Sequence, residues 1–319
     1  MPRSKSVETP GLFDQPSSVN PNTPLALRMT PRTISEWAGQ EHILGEGKLL
    51  RRAVDADRLS SAIFFGPPGC GKSALARLIA RQTKAKVESL NAVTAGVADV
   101  RAVIHNAKER RSLTGEKTLL VLDEIHRFNK AQQDALLPDV ERGIITLIGL
   151  TTENPFFYVN SALLSRAQVF EFKPLTEEAL NKVIDHALTD SERGLGKLDI
   201  QLDPDARLHF ITQANGDARR LLNALELAAL TTPTTPSPVA KMGEGPDTLY
   251  PLPRSAGEGR GIIHITLKVA EECVQKRSMV YDKSGDQHYD IASAFIKSLR
   301  GGRSRCRALL DGPHVAIRG

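Results

Sequence analysis

Two short runs hold residue types and spacings suited to chemistry. Gly66-Pro67-Pro68-Gly69-Cys70-Gly71-Lys72-Ser73 fits the pattern G-x-x-x-x-G-K-[ST]. Glycines let backbone N–H groups turn inward around an anion, and a helix start behind them adds partial positive charge. Further on, Asp123-Glu124 closes the apolar run Thr118-Leu119-Leu120-Val121-Leu122. Together they predict a site for a phosphate chain and a Mg²⁺ ion. The loop residues Gly66, Pro67, Pro68, Gly69, Cys70, Gly71, Lys72, Ser73 and Ala74 would cradle the phosphates, with Lys72 on the β- and γ-phosphates. Ser73 and Asp123 would hold the metal, and Glu124 would polarise an attacking water as general base. The bland alternatives are a glycine-rich turn and a solvated pair of acids; the context decides against both.

That context is the set of elements around the two runs. Ser61-Ala62-Ile63-Phe64-Phe65 reads as a buried strand before the loop, and Leu75, Leu78 and Ile79 as one face of a helix behind it. Further strands are expected at 86–90, 118–124, 144–150 and 168–172, with helices at 97–111 and 129–141 between them. This alternation predicts an α/β fold, a parallel sheet covered by helices, with ligands at the carboxyl ends of the strands. Thr176, Asp203-Pro204 and Asp217 open three amphipathic helices, read as an all-helical lid.

The expected division is a disordered arm over 1–24, an α/β core over 25–174 and the lid over 175–230. A Pro- and Gly-rich insertion follows over 231–262, then the start of a C-terminal helical region over 263–300 and a basic tail over 301–319 with Arg303, Arg305 and Arg307. Leu12-Phe13 is the arm's one apolar pair and reads as incidental. The Gly39-Gln40 turn has two readings: polar groups near a base, or a packing segment that buries the lone Trp37. Asp282, Asp286, His288 and Asp290 resemble metal ligands in type, but a capped loop before a helix over 291–299 is the stronger reading.

With 319 residues, 40% apolar and 25% charged, the chain is long enough for roughly two domains. A net charge of +5 permits a polyanionic partner without demanding one. Cys70, Cys273 and Cys306 have no paired spacing, which argues against a disulfide framework or a zinc site. With no apolar run near the ~18 residues of a membrane span, no membrane partner is expected and a cytoplasmic location is the default.

These residues resemble the AAA+ ATPases, and within them the replication-associated recombination protein A family, whose eukaryotic relative is the Werner helicase-interacting ATPase. The resemblance runs from about Leu25 to Arg300. It is most specific at Gly39-Gln40-Glu41-His42, Asp123-Glu124-Ile125-His126-Arg127-Phe128-Asn129-Lys130, Thr151-Thr152-Glu153-Asn154-Pro155, Tyr281-Asp282-Lys283 and His288-Tyr289-Asp290. It implies ATP with Mg²⁺ as the cofactors and Gln40 in the adenine pocket. It also implies Thr152 as sensor 1, Arg166 as an arginine finger acting in a neighbouring subunit, and Arg219 as sensor 2 on the lid.

The resemblance further implies a DNA-dependent ATPase at stalled or forked DNA, associated with single-strand-binding protein, near the nucleoid. Relatives are usually tetramers, through a long helical domain beyond the point where the resemblance stops near Gly301. A homo-oligomer is therefore the family expectation, in doubt for this chain. A nucleotide-binding scaffold with little turnover, and a clamp loader or Holliday-junction motor, are the alternative readings. Cys70 stands where the family usually has Thr, which predicts an intact site with altered redox sensitivity.

Overall fold

In the sheet, successive side chains point to opposite faces, and the apolar runs of this chain fill both. Leu119 and Val121 belong to one buried cluster, while Leu120 and Leu122 belong to another. The computed structural model describes residues 23–235 and 261–274, all within one unit, Met1–Gln275. The arm, most of the insertion, Tyr281 to Asp290, the helix expected over 291–299, and the basic tail with Cys306 lie outside the described residues.

Five strands, β1 (Ala62–Phe65), β2 (Lys86–Asn91), β3 (Thr118–Asp123), β4 (Ile145–Thr151) and β5 (Gln168–Glu171), form a sheet of order β2-β3-β4-β1-β5. Every pairing in it is parallel. Phe64 stands opposite Leu150 on one side and Phe170 on the other, so β1 is an interior strand, between β4 and β5. The predicted strands are found within a residue or two at each end.

The helices in chain order are α1 (Leu25–Arg28), α2 (Glu41–Leu44), α3 (Leu49–Asp55), α4 (Lys72–Gln82), α5 (Val97–Thr114) and α6 (Lys130–Glu141). They continue with α7 (Pro155–Tyr158), α8 (Ser161–Leu164), α9 (Glu177–Thr189), α10 (Pro204–Ala214), α11 (Ala218–Thr231) and α12 (Leu267–Cys273). Leu75, Leu78 and Ile79 of α4 pack on one sheet face with Phe64 and Leu150. Val100, Val103, Ile104 and Ala107 of α5 and Leu136 of α6 cover the other. The fold is the covered parallel sheet with a helical lid that the alternation predicts.

The lid has its own core, built from Leu180 and Ile184 of α9, Phe210 of α10, and Leu221 and Leu225 of α11. Three features depart from the expected division. A small sheet joins the lid helices: β6 (Ile200–Leu202) pairs parallel with β8 (Ile262–Ile265), which pairs antiparallel with β7 (Thr234–Thr235). Residues 263–274, expected to begin another region, pack in this same core through Ile263, Ile265 and Ala270. Leu25 is also buried there, and Arg28 bonds Glu226 of α11 at 2.9 Å, so α1 is packed on the lid although the sequence groups it with the sheet. The β7–β8 pairing also holds the two ends of the Pro- and Gly-rich segment together.

Candidate nucleotide site

The loop between β1 and α4 is crowded from two sides, which explains its glycines. At Gly71 (φ +107°) a Cβ would fall 2.9 Å from Cζ2 of Trp37. At Gly69 (φ +68°) it would fall 1.7 Å from Oδ1 of Asp217, the N-cap of α11. A side chain at either place would strain the backbone and collide with a wall of the site. Beyond Gly71 the first turn of α4 presents the backbone N–H groups that have no acceptor within the helix.

Lys72 is the first residue of α4, and its buried ammonium donates to the carbonyls of Gly66 (2.6 Å) and Pro67 (2.8 Å). Burial lowers its pKa, against the pull of Cys70, Glu124 and Asp123. The Cys70 thiol donates to the Pro67 carbonyl at 2.8 Å and is 1% exposed. Burial raises its pKa despite nearby Lys72, which disfavours the reactive thiolate form.

β3 delivers the two acids. Asp123 accepts a hydrogen bond from the Glu124 N–H at 3.1 Å. Glu124 itself is left-handed, φ +55°, an uncommon conformation that turns the chain sharply at the strand end. Its Oε2 is buried and accepts no hydrogen bond, although His126 Nδ1 is 3.3 Å away. That nitrogen instead hydrogen-bonds Thr151 Oγ1 at 2.9 Å, joining the acid turn to the end of β4.

One cleft of about 530 Å³ brings these parts together between sheet and lid. The loop from Pro68 to Ala74, Asp123, Glu124, Thr152 and Arg219 all line it. Gly66 and Pro67 lie behind, holding Lys72. The cleft also meets three of the four buried side-chain atoms that have no hydrogen-bond partner among the described residues: Trp37 Nε1, Arg77 Nε and Glu124 Oε2. Native proteins leave few such atoms, since each costs roughly 1–3 kcal/mol, and their concentration in one cleft marks a polar ligand's place. The fourth, Asp139 Oδ1, is elsewhere, 2.9 Å from Lys108.

Besides Gly66 and Pro67, two further expected site residues, Gln40 and Arg166, stand outside the cleft lining. Gln40 is 5% exposed; its amide donates to the carbonyls of Cys70 (3.2 Å) and Lys173 (2.6 Å) and accepts from the Lys173 N–H (3.1 Å). It braces the loop before α4 against the residues that follow β5, and its side chain does not line the cleft. Trp37 and Ala38 line the cleft in its place. Arg166 is paired with Glu141 and donates to the Ala162 carbonyl at 2.7 Å, outside the cleft of its own chain. Trp37, Arg77 and His126 are the neighbours to which sequence reasoning gave no role in the site.

The wall made by residues 26–38 is tied to the lid. The Arg193 guanidinium, 7% exposed as a residue, bonds Glu36 at 3.0 Å and Asp190 at 2.7 Å, while its carbonyl accepts from Arg28 at 2.7 Å. Burial works against the charges on Glu36 and Asp190, but hydrogen bonds, with Arg193 prominent among the donors, outweigh it and lower both pKa values.

Among the described residues no three His, Cys, Asp or Glu side chains cluster as a metal cage, and no helix is long and apolar enough to cross a membrane. A cation held by one carboxylate, a hydroxyl and phosphate oxygens needs no such cage. The family model "ATPase family associated with various cellular activities (AAA)" matches residues 62–175, and the model "AAA C-terminal domain" matches 196–300. Replication-associated recombination protein A of Bacillus subtilis (strain 168) is 44% identical over 87% of this chain and 59% of its own length. Its namesake from Escherichia coli (strain K12) is 44% identical over 89% of this chain and 58% of its own. The chain thus spans somewhat over half the length of these relatives. Among solved structures, the Thermotoga maritima RuvB Holliday junction branch migration motor is similar in fold, with TM-score 0.54 and 20% identity over 86% of this chain and 81% of that one. The chain belongs to the AAA+ ATPases and, among them, to the replication-associated recombination protein A family.

Proposed function

We propose that the cleft binds ATP with Mg²⁺ and hydrolyses it, and that DNA stimulates this turnover in replication-fork maintenance and recombination-linked repair. The observation that carries the reading is the meeting of the Lys72 loop, Asp123, Glu124, Thr152 and Arg219 in one cleft with three buried polar atoms that lack a hydrogen-bond partner. The Lys72 ammonium would exchange the carbonyls of Gly66 and Pro67 for phosphate oxygens. The Ser73 hydroxyl and Asp123 carboxylate suit a hard cation and would hold Mg²⁺. When bound, that ion neutralises charge developing on the phosphate oxygens.

Glu124 Oε2, buried and without a hydrogen-bond donor, is free to take the proton of an attacking water. Thr152 would orient that water from the end of β4, and Arg219 would tie the lid to the phosphate end. Arg166, outside its own chain's cleft, suits the site of a second copy, so a homo-oligomer is part of the proposal. The test is the ATPase rate with and without forked DNA, read beside the native mass. Stimulation by the fork in an assembled species is expected; an unstimulated rate would reject the DNA part.

A further inference from the structure

Arg77 has no part in the roles assigned above. It lies on α4 four residues after Ser73, a spacing that places both on one helix face, and its side chain lines the cleft. Its Nε is buried without a hydrogen-bond partner, and no carboxylate of the described residues pairs with its guanidinium. Arg219, in the first turn of α11, lines the same cleft and is likewise without an ion-pair partner among the described residues. The two come from separately packed elements, α4 on the sheet and α11 in the lid core.

Burial first, then the charges of Arg219 and Arg81, lower the pKa of Arg77, while Asp123 is the acidic group that opposes them. Two guanidiniums facing one cleft, one with a buried donor unmet, are an unfavourable arrangement for the protein by itself. An anion between them relieves both costs. Guanidinium groups suit phosphate because their forked N–H donors match its oxygens.

We propose that Arg77 is a second guanidinium for the phosphate chain of a nucleoside di- or triphosphate, acting opposite Arg219. This rests on the nucleotide reading of the cleft. Its contribution grows with the number of phosphates, so Arg77 sets discrimination between ATP, ADP and AMP.

The experiment is calorimetric titration of the full chain with ATP, ADP and AMP in Mg²⁺. It compares wild type with Arg77→Gln, Arg77→Met, Arg77→Lys and Lys72→Ala. Loss of one charge-assisted hydrogen bond predicts about tenfold weaker ATP binding in Arg77→Gln, a smaller loss for ADP and none for AMP. Arg77→Met, which keeps the apolar stem, gives the same pattern and stands in if the Gln variant does not fold. Arg77→Lys, which keeps the charge, loses less than either. ATP binding at the wild-type level in the neutral variants, with Lys72→Ala weakened, overturns the role of Arg77 and leaves the nucleotide site standing. Equal losses for all three nucleotides assign Arg77 to the fold alone and also overturn the proposal. A wild-type chain that binds no ATP overturns the nucleotide reading and this inference with it.

Discussion

Ala218 of the lid donates its backbone N–H to the carbonyl of Gly69 in the phosphate loop, at 3.2 Å. The contact joins the first residue of α11 to the loop that begins the sheet's site, and Arg219 follows directly in the chain. Lid position and loop conformation are therefore mechanically linked.

Gly69→Ala tests that link. The new methyl would meet the Asp217 carboxylate in a left-handed backbone, so either the loop or the lid must move. We expect nucleotide affinity to fall about tenfold or more with the far-UV circular dichroism unchanged. Wild-type affinity would show that the lid approaches the loop without consequence.

Gln40→Ala separates bracing from base recognition. It removes three hydrogen bonds to backbone groups of Cys70 and Lys173, which predicts a loss of about 2–3 kcal/mol in denaturant unfolding. Selectivity for ATP over GTP should stay as in wild type. Unchanged stability with altered base selectivity would return Gln40 to the adenine pocket.

The strands and long helices were legible because each carries its own pattern. The run Leu119 to Leu122 feeds both faces of a covered parallel sheet, and the α5 stripe at Val100, Val103, Ile104 and Ala107 repeats at helical spacing. The loop and the acid pair were legible for a similar reason, because backbone approach and metal binding need particular residue types at fixed spacing. What depends on distant partners was not. Nothing near Arg28 announces Glu226, 198 residues away, and nothing near Gln40 announces the carbonyl of Lys173. Arg77 and Arg81 read locally as charges on a helix, and only the fold turns Arg77 into the cleft. β6 and β7 are too short to carry a period.

Cys70 should be chemically quiet. Its burial and raised pKa predict slow alkylation in the native chain and rapid alkylation after denaturation, followed by peptide mass mapping. Cys273, partly exposed, should label before Cys70. Fast native labelling of Cys70 would contradict the packing of the loop.

The lid tether should weaken in acid. Glu36 and Asp190 titrate below their ordinary values of 4.5 and 3.8, so their stabilisation is fully present above that range and is lost as pH falls through the lower folded values. Thermal midpoints between pH 6 and about pH 3 should drop more steeply for wild type than for Arg193→Met, in which the guanidinium's bonds to both carboxylates are gone while the backbone bonds to them remain. Parallel curves would show that the cluster contributes nothing.

If Glu124 is the base for hydrolysis in the cleft, its amide variant must slow the chemical step and leave the site able to bind. Single-turnover release of phosphate from ATP is measured for wild type and Glu124→Gln, with binding followed through Trp37, the chain's one tryptophan, which lines the cleft. ATP binding should be retained in the variant and release slowed by about 10²-fold or more, the scale of a lost general base. Release at the wild-type rate from Glu124→Gln would contradict it.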